Sequence, residues 1–226
     1  MTVLHLADEG EAADLAAFLS RLLHYDRGAA VRLQAHGTAL AVFGRPPSFE
    51  VLAVRAVRLA KPYENGLDVT LDVTVSAGEL LESVDEPAAT ATVPGAVTGP
   101  PWAGVLPPRG GWRPEPGLPA PDALRALVSA AVAEFRSRTG ELAPEKRTRA
   151  ELDRIGREIW SRTVGDTGLP VRAVHAAQSL GFLRPANAAG DAPALVSSGA
   201  WLRLRTPYGS VALRRAGTGA LGLSVR

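Results

Sequence analysis

Residues 147–182, RTRAELDRIGREIWSRTVGDTGLPVRAVHAAQSLGF, and residues 201–215, WLRLRTPYGSVALRR, carry the most legible local structure in the chain. Thr148-Arg149-Ala150-Glu151 is a capping box, in which a threonine oxygen and a glutamate satisfy helix donors that have no partner inside the helix. Leu152, Ile155, Ile159 and Trp160 then share a face, so the spacing predicts a helix from Thr148 to about Val164. Pro170 suits a first helical position. Ala173, Ala176, Ala177 and Leu180 form a small-residue face on the second helix, and Gly181-Phe182 closes it in the manner of a Schellman motif. In the second stretch Leu202, Leu204, Val211 and Leu213 alternate with their neighbours around the turn Thr206-Pro207-Tyr208-Gly209, which reads as a β-hairpin. One of its faces is aliphatic. The other carries Trp201, Arg203, Arg205 and Arg214.

Working back toward the N-terminus, Leu124, Leu127, Val128, Ala131, Val132 and Phe135 make an apolar stripe on a helix that Asp122 would cap and Gly140 would end. Three helices followed by a hairpin are in winged-helix order. Between Pro94 and Pro121 lie nine prolines and six glycines, with Trp102 and Trp112 among them. A flexible linker has no use for tryptophan, so this segment is expected to pack as an ordered strap. A proline-rich ligand for another protein's aromatic groove is the alternative.

The first 86 residues read differently. A short strand at 2–7 precedes an amphipathic helix at about 9–25, with Leu15, Phe18, Leu19, Leu22 and Leu23 at helical spacing behind acidic Asp8, Glu9 and Glu11. Val31–Ala35 and Leu40–Val42 flank the turn His36-Gly37-Thr38, and Arg45-Pro46-Pro47 stops the return strand. Phe49–Leu59 is apolar on both faces near its start, like an interior strand. A turn at Tyr63–Gly66 leads into Leu67–Ser76, which alternates strictly, and a short helix follows at Gly78–Val84. The short connections favour antiparallel pairing. The fold expected is therefore α+β: a helix-covered antiparallel β-meander (1–86), a Pro/Gly-rich strap (87–121), and a helical region ending in a β-hairpin (122–226). The first and last units are free to pack as one body.

The composition, 46% hydrophobic and 21% charged over 226 residues, is that of a folded globular protein. The chain has no cysteine, which excludes disulfides, thiolate metal sites and cysteine nucleophiles. The opening MTVLHLADEGEAADL lacks a basic region and is acidic, unlike a secretion signal, and no apolar run approaches the roughly 20 residues of a membrane helix. A cytoplasmic protein without a membrane partner is expected. Charge is unevenly spread: residues 1–86 hold 7 basic and 13 acidic side chains, residues 87–226 hold 18 and 10. The two halves could attract each other, or the basic half could face an acidic partner.

No familiar catalytic signature is present. His5, His24, His36 and His175 lack metal-ligand spacing, so neither a metal nor another cofactor is indicated. Lys61 and Lys146 sit among charges and turns, where an activated amine is not expected. Gly217–Gly222 matches GxGxxG in letters, but no helix could follow it to receive a pyrophosphate. Asp68 and Asp72 share a strand face about 13 Å apart, too far to share a proton. An enzyme would need a pocket assembled from residues such as His36, Arg55, Asp68, Asp72 and Glu79. The leading expectation is a non-catalytic binding or regulatory protein. Its contact surface would include Trp201, Arg203, Arg205 and Arg214, with Arg172 and His175 on the polar face of the preceding helix. Its partner would be a protein or a second copy of itself. Nucleic-acid recognition by the helix–hairpin unit is the alternative. The plain competing reading is a solvated hairpin face pairing with acids of the first half, such as Asp68 and Asp72.

The segments RPPSFEVLAVRAVRLA, GPPWAGVLPPRGGW, RAVHAAQSLGFL and WLRLRTPYGSVALRR together resemble an uncharacterised protein group of Streptomyces-type actinobacteria. Arginine outnumbers lysine 23 to 2, the bias of a GC-rich genome. The resemblance implies a bacterial cytoplasmic protein and no particular activity.

Overall fold

A computed structural model describes residues 2–60, 71–184 and 192–215. The turn expected at Tyr63–Gly66, the strand start at Leu67–Thr70, Lys61, Asp68 and the glycine-rich tail at 217–222 lie outside these residues. Among the described residues no helix is long and apolar enough to cross a membrane.

The architecture is α+β with antiparallel sheets. Strand β1 (Val3–His5) is followed by helix α1 (Glu9–Tyr25), then β2 (Ala30–His36), β3 (Ala39–Gly44), β4 (Leu52–Arg58), β5 (Asp72–Ser76) and α2 (Ala77–Glu82). Short strands β6 (Val84–Asp85) and β7 (Thr90–Thr92) join β1 in a small sheet of order β1-β7-β6. Next come β8 (Arg113–Glu115), α3 (Pro121–Gly140), α4 (Arg149–Trp160), α5 (Val171–Ser179), β9 (Ala194–Ser198), β10 (Trp201–Thr206) and β11 (Gly209–Arg214). The large sheet has the order β5-β2-β3-β4-β11-β10-β9-β8, so strands from both ends of the chain share it.

Local chemistry accounts for most boundaries. Asp8 caps α1 by accepting from the Glu11 amide at 2.9 Å, and Ser76 and Thr148 do the same for α2 and α4. At the end of α5 the Phe182 amide donates to the Ala177 carbonyl and the Gly181 amide to that of Gln178, with Gly181 at φ +76°: the Schellman closure expected. Several boundaries differ. Asp122 does not cap α3; Pro121 starts the helix one residue earlier behind Ala120, and Asp122 sits in the first turn beside Arg125. Half of the capping box at Thr148 forms, but the Glu151 carboxylate is taken by Arg154. Helix α4 stops at Trp160 rather than Val164, because Val164 and Leu169 close a tight loop by a backbone bond of 2.9 Å. Pro170 is therefore the N-cap of α5.

The inner face of the large sheet carries Val31, Leu33, Leu40, Val42, Ala53, Val57, Leu202, Leu204 and Val211, all buried. Leu15, Phe18, Leu19 and Leu22 of α1 pack on it, as do Ala173, Ala176 and Ala177 of α5. Leu124 and Val128 of α3 and Ile155 and Ile159 of α4 complete the same core.

Part of the outer face is covered by the Pro/Gly segment, in a position that sequence alone did not give it. Within the expected strap range, Thr90–Thr92 is β7 and pairs with β1; beyond it Val75 bridges Ala96 and the Val97 amide donates to the Thr74 carbonyl at the β5 edge. Trp102 and Leu106 then cover Phe43, Leu52 and Val54. Its end becomes β8 and pairs with β9. Both β8 and β9 fall in stretches that read as irregular in the sequence.

Candidate functional site: an arginine–tryptophan cleft

The hairpin β10–β11 is not a wing. Each of its strands has a second neighbour, β9 beside β10 and β4 beside β11, so the winged-helix reading gives way to a hairpin held inside a sheet. This splits the expected contact residues. Arg203 faces outward, but the Trp112 ring of the strap lies over it, its centroid 5.6 Å from the guanidinium, and Arg203 Nε donates to Ser210 Oγ at 2.8 Å. Burial, and after it the charge of Arg205, pull the Arg203 guanidinium below its usual range. Arg205 is exposed, but four residues along the strand from Trp201, about 13 Å away.

His175 is occupied too. Its ring stacks on Trp160 at 4.6 Å and 24° and meets Phe49 edge-on at 5.1 Å, and burial lowers its pKa. Asp72 is likewise taken: Arg32 Nε donates to Oδ1 at 2.7 Å, and Arg32 Nη2 and Gln34 Nε2 donate to Oδ2. The Arg32 bond, followed by that from Gln34, holds the Asp72 carboxyl below its usual range. The hairpin arginines therefore do not pair with Asp72.

Arg172, Trp201 and Arg214 do converge. They line a cleft of about 480 Å³ together with Arg45 from the end of β3, Glu50, and Trp102 from the strap. Val51, Leu52, Ala212 and Leu213 supply apolar lining, and Pro101 and Val105 belong to the strap side. Arg45 and Arg214 are exposed and have no ion pair among the described residues. Arg172 lies 3.4 Å from Glu50, the only acid among the described residues of the lining, through its Nε and the Glu50 Oε2. That contact misses hydrogen-bond geometry, and the buried Nε has no hydrogen-bond partner among the described residues. Glu50 itself has a left-handed backbone, φ 53° and ψ 33°, which costs a non-glycine residue about 1 kcal/mol. A second groove of about 700 Å³ shares Glu50 and Arg172 and continues to Phe135, Arg149, Arg157 and Trp160.

The chemistry of the cleft is recognition of an anion beside an apolar group. Arginine presents a planar fork of donors that matches carboxylate or phosphate, and indole offers a broad apolar face at small entropic cost. Sequence reasoning named three of its members but missed Arg45, Glu50 and Trp102. The proline pair after Arg45 signals a chain reversal, but nothing local says that the reversal points Arg45 at a hairpin over 150 residues away. Of the residues an enzyme would need, the described ones are not brought together: His36 and Glu79 are exposed, Asp72 is bound by Arg32 on the outer face, and Arg55 is buried under α1. Among the described residues no three His, Asp or Glu side chains are placed to hold a metal ion.

Two family models match the chain, each described as a domain of unknown function: DUF8010 over residues 1–104 and DUF8185 over residues 107–218. They meet within the strap. No curated protein matches the chain. Among solved structures, a DNA polymerase sliding clamp from Pseudomonas aeruginosa is similar at 13% identity and a TM-score of 0.47, over 94% of this chain and 64% of the clamp chain. A structure of that clamp with a ligand gives 13% identity and 0.44, over 90% and 62%. The chain thus spans less than two thirds of the clamp chains it resembles.

Proposed function

We propose that the chain is a non-catalytic binding protein whose contact surface is the cleft between the strap and the hairpin, and that it engages an anionic partner there. The observation that carries this reading is the convergence of Arg45, Arg172 and Arg214 with Trp102 and Trp201 around Glu50. Arginine and tryptophan are the residues most often found to dominate protein interfaces. The proposal narrows the contact surface from the hairpin face as a whole to its Trp201–Arg214 end, since Trp112 and Ser210 engage Arg203.

The test is a binding titration of the full chain with labelled polyanions, polyglutamate and single-stranded oligonucleotide, at low and physiological salt. Arg45→Ala/Arg214→Ala is measured alongside. Binding that weakens with salt and falls about tenfold or more in the double variant supports the reading. Absence of any binding at low salt, or binding that the double variant leaves unchanged, overturns it.

A further inference from the structure

Resting on that reading of the cleft, we propose that its ligand is an acidic peptide segment with an apolar side chain, and that a carboxylate of this segment replaces Glu50 on Arg172. Four observations point the same way.

Arg172 stands in the first turn of α5, the positive end of a helix, where a cation is disfavoured and an anion is drawn in. The anion now present, Glu50, is a poor occupant: its side chain is 71% exposed, its backbone is in the left-handed region, and it leaves the Arg172 Nε without a hydrogen bond. An incoming carboxylate that can align with the guanidinium fork has an unfilled donor to gain. Arg45 and Arg214 flank the position with charge that no described acid neutralises, so a segment carrying several acids is complementary. Between these cations the lining is apolar, with Val51, Leu52 and Leu213 beside the two indoles, which suits a buried aliphatic or aromatic anchor.

The same lining bears on a nucleic acid as the rival occupant. Among the described residues around the cleft there is no Asn, Gln, Ser or Thr, the neutral side chains that pair with base edges. A nucleic acid could bind there by charge, by stacking and through an arginine on a guanine edge, but it has no aliphatic group to fill the lining at Val51, Leu52 and Leu213.

The experiment uses three labelled probes on the full chain: a peptide of alternating glutamate and leucine, polyglutamate of equal charge, and oligothymidylate. Each is titrated against the natural chain, Arg45→Ala/Arg214→Ala and Glu50→Gln; all three positions are exposed, so folding should be retained, and a circular-dichroism melt checks it. The glutamate–leucine peptide is expected to bind about tenfold tighter than polyglutamate and to weaken about tenfold in the double arginine variant. Glu50→Gln should tighten it several-fold. Equal affinity for both peptides, tighter binding of oligothymidylate, or no gain in Glu50→Gln would each overturn the proposal. If oligothymidylate alone binds, and does so through Arg45 and Arg214, the cleft remains the contact surface and only the peptide assignment falls. If no probe binds, both fall.

Discussion

At the scale of single residues, Arg55 ties the two ends of the chain together. It is 5% exposed, donating through Nη1 to the Tyr208 carbonyl at 2.7 Å and through Nη2 to Glu11 and Asp14 at 3.1 and 3.2 Å. Arg58 completes the site by donating to Glu11 at 2.8 Å, and Arg184 donates to Asp14 while lying 4.0 Å over the Tyr208 ring. A buried ion pair adds little net stability over apolar packing, yet removing one member strands the other. Arg55→Met should therefore cost about 3 kcal/mol in urea denaturation, and adding Glu11→Leu should restore much of it. Additive losses in the double variant would show that the two side chains do not act as a pair.

His175 gives a second residue-scale prediction. Burial lowers its pKa in the fold from the ordinary 6.5, so the unfolded chain takes up the proton first. Its contribution is intact above about pH 6.5 and is lost as pH falls from that value through the lower pKa of the folded state. His175→Gln should flatten this limb of the stability profile, with fluorescence of the stacked Trp160 reporting the transition. A slope unchanged by the substitution would place the titration elsewhere.

Among the elements, the hairpin turn is tightly constrained. Gly209 has φ +153°, and a Cβ there would come within 2.5 Å of the Phe182 ring. That ring is 2% exposed and stacked on Phe18 at 5.7 Å, so it has no room to withdraw. Gly209→Ala should destabilise by about 2 kcal/mol through backbone strain and overpacking, measured by the same denaturation. By contrast, helices α3 and α4 are joined at the surface, by Arg138 and Arg162 bridging Glu134 and Glu158. The hydrogen bond from Arg138 leads in holding the Glu158 carboxyl down at about 2, so its support is present above the ordinary value of 4.5 and lost on acidification toward 2. Being exposed, this lattice is screened by salt, and Glu158→Gln should lower the melting temperature at low ionic strength only.

Elements built from local pattern were legible in advance: α1 and its acidic start, the β2–β3 hairpin around Gly37, and the Schellman end of α5. Those that depend on distant partners were not. Strands β8 and β9 are three and five residues long, with no alternation strong enough to separate them from loop, and they are strands because they hydrogen-bond to one another and to β10. The candidate site divided along the same line. Periodicity placed Trp201 and Arg214 on one strand face, but the side chains that complete the cleft arrive through the pairing of β11 with β4, which no local signal encodes.

For the molecule as a whole, that pairing has a consequence for cooperativity. Ser210, Val211 and Ala212 stand opposite Val54, Ala53 and Leu52, making one sheet from the regions matched by the two family models. The core is likewise continuous from α1 to β11. Unfolding followed by tryptophan fluorescence and by far-ultraviolet circular dichroism should therefore give coincident single transitions. Two separated transitions would mean that the matched regions are independent folding units.

The strap that covers part of the outer face also touches both margins of the large sheet, bridging β5 at Ala96 and adding β8 beside β9. Beyond it the margin ends in Arg113-Pro114-Glu115, where proline offers no donor and the flanking charges discourage another strand from adding. A protease that cut between residues 104 and 107 and freed both strap arms would do more than uncover a surface. It would bare the β9 edge at Ala194–Ser198 and release the single bridge and the Thr74 bond at the β5 margin, on the opposite side of the sheet. Such a species should add neighbours more readily than the intact chain does, which thioflavin-T fluorescence after limited proteolysis would check.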